Sequence, residues 1–182
     1  MSSCFNSDAP LIVDNTHLQK VKEPRHLQFM KEQRDKGIRL SHFSSAFSAL
    51  LPGMMSIPLW VIPKPHLDKW HLVVDHSVGD YSPNLFISPD NASVHLGTLH
   101  VLRKALLKIR AHHGNVHLVL FKTDISQAYL CLPVHPLWQM CQIVKILNSY
   151  HINNNNNFSN QGAGCLWLTF FSLVLWIATV IM

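Results

Sequence analysis

"FKTDISQAYLCLPVHP", residues 121–136, places one carboxylate, Asp124, at the end of an apolar run that begins at Val116 and just before the pair Ala128-Tyr129. A carboxylate at a strand-to-turn junction can hold a hard cation such as Mg²⁺, because the backbone there is rigid and the side chain can face a cleft. The same residue type also ends strands for a simpler reason, since its side chain satisfies the turn that follows. The rest of the chain has to decide between a ligand and a strand-end acid.

The chain of 182 residues is 48% hydrophobic and carries a formal charge of +5. That length buries one core, so one domain with appendages is expected, and the positive balance favours polyanionic partners. The fifteen basic residues all precede position 146 and form no block of five, so they belong to a folded surface and not to a disordered tail. Four cysteines, Cys4, Cys131, Cys141 and Cys165, make no CxxC pair and no zinc spacing. Thirteen histidines are scattered, and His112-His113 before Gly114 reads as an exposed helix end. The start, "MSSCFNSDAP", lacks the basic and apolar parts of a secretory signal. An intracellular location, nucleus or cytoplasm, is expected.

Residues 1–40 read as a polar segment and a helix that opens at Pro24 and stops at Gly37. A Ser-rich link follows over residues 41–55. Residues 56–182 form the main unit. There, "IPLWVI" and "KWHLVVD" are β-rich runs joined by the turn-rich "PKPHLD", which predicts a hairpin. "DYSPNLFISPDNAS", with Pro83 and Pro89, reads mostly as loop. Leu99, Leu102, Leu106 and Ile109 recur at helical spacing, and Gly114 is the expected stop. "VHLVLFKTD" and "QMCQIVKIL" read as β runs, and "NSYHINNNNNFSNQG" as a polar turn region. The last 20 residues contain no charge, which fits either a membrane-spanning helix or a helix buried in protein.

Three stretches in this order resemble the reverse transcriptase family, in particular the polymerases of retrotransposons. "PLWVIPKPHLDKWHLVVD" looks like the fingers hairpin. "LFKTDISQAYLCLPVHP" looks like the first palm motif, a strand ending in the metal-binding Asp. "NNFSNQGAGCLWLTFFSLVLWIA" is similar to the second palm motif and the helix that follows it. The resemblance implies an α+β fold: the fingers and an incomplete palm of a right-hand polymerase. It implies Asp124 as the first catalytic carboxylate and Mg²⁺ ligand, with the carbonyl of Ile125 as a second contact. Lys64 and position 71 would hold the triphosphate, Tyr129 would sit under the incoming sugar, and Phe158 would line the nucleotide pocket. The partners so implied are a deoxynucleoside triphosphate and an RNA or DNA template-primer. The tail, residues 163–182, would be the helix that packs under the active-site sheet, which favours burial in protein over burial in lipid.

The departures bear on activity. His71 stands where the family has Arg, and histidine has neither the bidentate fork nor the permanent charge. Ser159 stands where a Gly allows close backbone approach, and Gln161 where a basic residue is expected. Two-metal phosphoryl transfer needs at least two carboxylates, and no Asp or Glu follows Asp124. Asp75, Asp80 and Asp90 precede the palm and are poor substitutes. The expectation is a truncated polymerase domain without activity of its own. Two alternatives are a small tail-anchored membrane protein with a basic soluble part, and a non-catalytic nucleic-acid binder using the basic helix around residues 103–110 and the hairpin.

Overall fold

A computed structural model describes residues 10–79, 81–92, 98–114, 117, 125 and 128–181. It mixes helices with two small sheets, an α+β arrangement. Strand β1 (Val13–Asp14) is followed by a 3-10 turn at Asn15–Leu18 and by helix α1 (Pro24–Arg39). Strands β2 (Met55–Ile57), β3 (Leu59–Pro63) and β4 (Trp70–Val74) come next. After a 3-10 turn at Pro83–Phe86 lie the one-turn helix α2 (Pro89–Ala92) and helix α3 (Leu99–His113). A 3-10 turn at Ala128–Cys131 and the one-turn helix α4 (Pro136–Gln139) lead into β5 (Ile143–Ile146), β6 (Ser149–Ile152) and helix α5 (Ala163–Ile181).

The larger sheet runs β1-β2-β5-β6, with β1, β2 and β5 parallel and β6 antiparallel to β5. The second sheet is the β3–β4 hairpin, in the register Ile62 opposite His71 and Pro63 opposite Trp70. Val61, Ile62, Val73 and Val74 supply the β-branched residues that suit a pleated, half-buried surface. Met30 of α1 meets Ile57, Leu59, Val74, Val144 and Ile146 in one buried cluster, which ties the helix to both sheets. Burying each large aliphatic side chain contributes about 1.5–3 kcal/mol. Asp14 also ties the sheet together: Ser56 Oγ donates to it at 2.6 Å and Tyr150 Oη at 2.8 Å, joining β1, β2 and β6. Its partial burial opposes ionisation, yet hydrogen bonds from Ser56, Thr16 and Tyr150 outweigh that and hold the carboxyl at about 2.

Several expectations change. Gly37 does not end α1: it lies buried inside the helix, which continues to Arg39. A Cβ on Gly37 would run into the ring of Phe43, so close approach explains this glycine. Residues 41–55 are hydrogen-bonded onto the sheet edge, with Ser44 N donating to Ile152 O and the Phe47 and Tyr150 backbones exchanging two bonds. The polar segment after Leu147 passes from the turn at Asn148 into strand β6, where only a turn region is expected. The stretch read as loop around Pro83 and Pro89 contains two single turns of helix. By contrast, the hairpin lies where its two β-rich runs and turn-rich connector put it, and α3 starts after the Thr98 cap and stops at Gly114, whose φ of 68° suits glycine.

Helix α5 carries no charge, and Ala163 is its one buried residue among those described, so most of its apolar surface stands uncovered in this chain. Leu166, Phe170, Leu173 and Trp176 all stand exposed. Among the described residues no helix is long and apolar enough to cross a membrane.

Candidate functional site

An open cavity of about 1110 Å³ lies between α1, the β3–β4 hairpin, Ile125, the turn at Ala128–Cys131 and the segment 153–159. Its walls include Lys64, His71, Ile125, Tyr129 and Phe158. Five positions widely separated in sequence therefore share one concave surface. Asp124, the assigned catalytic and metal-binding residue, lies outside the described residues, as do most of the run 116–124.

The hairpin fixes the first two positions. Lys64 directly follows β3, and its N–H donates to Lys69 O at 2.8 Å, which closes the turn. Lys69 lines the cavity too, and Lys36 of α1 faces it from another wall; Asp68 is the single carboxylate among the described lining residues. Three lysines against one carboxylate make this wall attractive to anions. His42, on the same wall, is held below the usual imidazole range by burial and by the charge of Lys36.

The aromatic wall is built by the 3-10 turn at Ala128–Cys131 and by the segment after β6. The rings of Tyr129 and Phe158 meet edge to face with centroids 5.4 Å apart, and Trp167 of α5 backs Tyr129 at 6.3 Å. Edge-to-face geometry suits the ring quadrupoles, so the pair is a stable platform. Phe158 remains 82% exposed, which leaves a ring available to a planar ligand.

Ser159 and the asparagine run hold functions that sequence patterns did not disclose. Ser159 Oγ lies 2.6 Å from Nδ1 of His76, a fully buried ring. Burial depresses the His76 imidazole to about 4 despite the opposing influence of Gln142 and Asp75, so the ring is neutral near pH 7. Asn153, Asn156 and Asn157 are buried behind the cavity, and Asn153 Nδ2 donates to Asn157 Oδ1 at 3.0 Å. Gln142 Nε2 donates to the carbonyls of Asn153 and Asn155 at 2.6 and 2.9 Å. Asn154 Nδ2 donates to Ser41 O, and Asn155 Nδ2 to Leu130 O. An amide both donates and accepts, so a run of them satisfies the irregular backbone beneath the cleft. The composition of the run names a polar segment; only the crossing of residues 41–42 and 130–134 above it makes burial tolerable.

Gln161 N donates to Asn84 Oδ1 at 2.9 Å, which fixes the approach to α5. Among the described residues no group of three or more His, Cys, Asp or Glu could hold a metal ion. With Asp124 outside those residues, the described part of the site does not form a Mg²⁺ centre by itself. No family model matches the chain, and no curated protein matches it.

Proposed function

We propose that this chain is a fingers and partial-palm piece of a reverse transcriptase-like polymerase of retroelement type, which holds nucleotide phosphate in its cleft but does not by itself extend a primer. The observation that supports this reading is the shared cavity: every described position assigned through the resemblance, Lys64, His71, Ile125, Tyr129 and Phe158, lines it. Lys64 and Lys69 act as compact charges on a triphosphate, which is how lysine meets phosphate. Tyr129 and Phe158 pack against the sugar and base. Template-primer is the macromolecular partner, held by its phosphates. Mg²⁺, where bound at Asp124, would neutralise the developing phosphate charge. Residues 125–182 contain no Asp or Glu, so they cannot supply the second carboxylate that in-line transfer requires.

Titration with a deoxynucleoside triphosphate, followed by the fluorescence of Trp70, tests the site. Lys64→Ala combined with Lys69→Ala should weaken binding by about tenfold or more, as loss of charge-assisted contacts does. Binding that ignores both lysines, or no binding at all, would overturn the site. Primer extension in Mg²⁺ or Mn²⁺ tests the chemistry, and robust incorporation by this chain alone would overturn its inactivity.

A further inference from the structure

Helix α3 presents a different surface from the cleft. None of its residues is buried, with Leu99 85%, Leu102 42%, Leu106 38% and Ile109 40% exposed. A helix of 15 residues with no buried face among the described residues is marginal in water, because packing of an apolar face normally repays the nucleation cost. Its stripe therefore calls for a covering surface. At 100° per residue, Leu99, Leu102, Leu106 and Ile109 share one face. Arg110 and Arg103 border that face on one side, Lys104 and Lys108 lie on the opposite face, and His113 ends the apolar stripe at its C-terminal turn. Four cations and no carboxylate make the complementary surface anionic.

Two common anionic surfaces differ in what they ask of a helix. A polynucleotide offers phosphates to the cations, but its bases need polar or aromatic side chains. α3 offers bases only His100, His112 and His113, which lie on three different sides of the helix, and against a polynucleotide its aliphatic face would stay in water. A bilayer with anionic headgroups satisfies both halves of the helix: the aliphatic face enters the acyl boundary while the stems of Arg103 and Arg110 beside it reach the phosphates and Lys104 and Lys108 stay in water.

We propose that α3 is an amphipathic membrane-surface anchor, which lies in the plane of a bilayer carrying anionic phospholipids. This anchor stands independently of the polymerase reading, since none of its residues lines the cleft.

Cosedimentation of the full chain with vesicles tests it, using phosphatidylcholine alone and phosphatidylcholine mixed with phosphatidylserine. Binding to the mixed vesicles should exceed binding to the neutral ones by about tenfold or more and weaken as salt rises. Arg103→Gln with Arg110→Gln should reduce it roughly thirtyfold. Leu102→Asp with Leu106→Asp should abolish it, and neither pair should move the unfolding midpoint, because α3 contributes nothing to the buried core. The uncharged α5 could adhere to lipid by itself, but without preference for anionic vesicles and without sensitivity to these variants. Equal binding to both vesicle types, retained binding by either double variant, displacement from vesicles by an RNA oligonucleotide, or self-association through α3 in place of lipid binding would each overturn the proposal.

Discussion

The asparagine run and the C-terminal helix invert the usual distribution of polarity. Asn153, Asn156 and Asn157 are among the most buried residues of the molecule, whereas Leu173, Trp176 and Val180 of α5 are 52, 61 and 63% exposed. Apolar character therefore does not by itself decide what is inside. A polar side chain can be buried where irregular strands cross and need hydrogen-bond partners. An apolar one stays outside when no neighbouring element reaches it. The buried amides sit where β6 leaves the sheet and three segments converge, while α5 runs on past its contact at Ala163.

The largest test of that contrast sets an aliphatic residue in the sheet against one on the helix. Ile143→Ala removes a fully buried side chain and should cost about 2–5 kcal/mol in urea unfolding. Leu173→Ala, on the exposed face of α5, should change stability by less than about 0.5 kcal/mol. Equal costs would mean that α5 is covered in solution.

A second test is the pH dependence of stability. The folded chain holds His76 near 4, below its ordinary 6.5, so the unfolded chain binds a proton that the folded chain refuses between those values. Stability is full above pH 6.5 and falls as pH drops toward 4, by up to about 3 kcal/mol for this one group. Burial shifts His151 in the same direction and reinforces the loss. Urea midpoints measured across that window should slope downward toward acid, and a flat profile would show that His76 is not sealed from water.

The smallest effects separate the asparagines from one another. Asn153→Ala breaks the bond to Asn157 and should cost about 1–3 kcal/mol. Among the described residues neither side-chain polar atom of Asn156 has a hydrogen-bond partner, so Asn156→Leu should be neutral or stabilising by about 1 kcal/mol. Thermal unfolding distinguishes the pair, and a loss at both positions would indicate that Asn156 has a partner in solution, such as a bound water.

Much of the local structure was legible in the residues. Pro24 at a helix start, the helical spacing from Leu99 to Ile109 with Gly114 at its stop, and two β-rich runs around a turn-rich connector each have a local cause, so α1, α3 and the hairpin fall close to where patterns put them. Gly37 misled because a glycine can end a helix or admit a neighbouring ring, and only Phe43 decides which. Strand β6 was hidden because Ser149 and His151 carry little strand signal; its pairing with β5 forms it. Of the cavity lining, Lys64, His71, Ile125, Tyr129 and Phe158 are named by motif order along the chain, but Lys36, Lys69 and the Ser159–His76 contact are not, since each depends on how separate elements meet.

What the sequence determined alone is the character of each segment: where helices start and stop, which run is uncharged, and that no carboxylate follows Asp124. Those properties depend on neighbours within a few residues. The tertiary structure decided the rest: that five distant positions face one cavity, that the asparagines lie inside, and that α3 and α5 turn apolar faces outward. Burial is a relation between segments far apart in the chain, so it is set by how the elements are stacked and not by the hydrophobicity of any one of them.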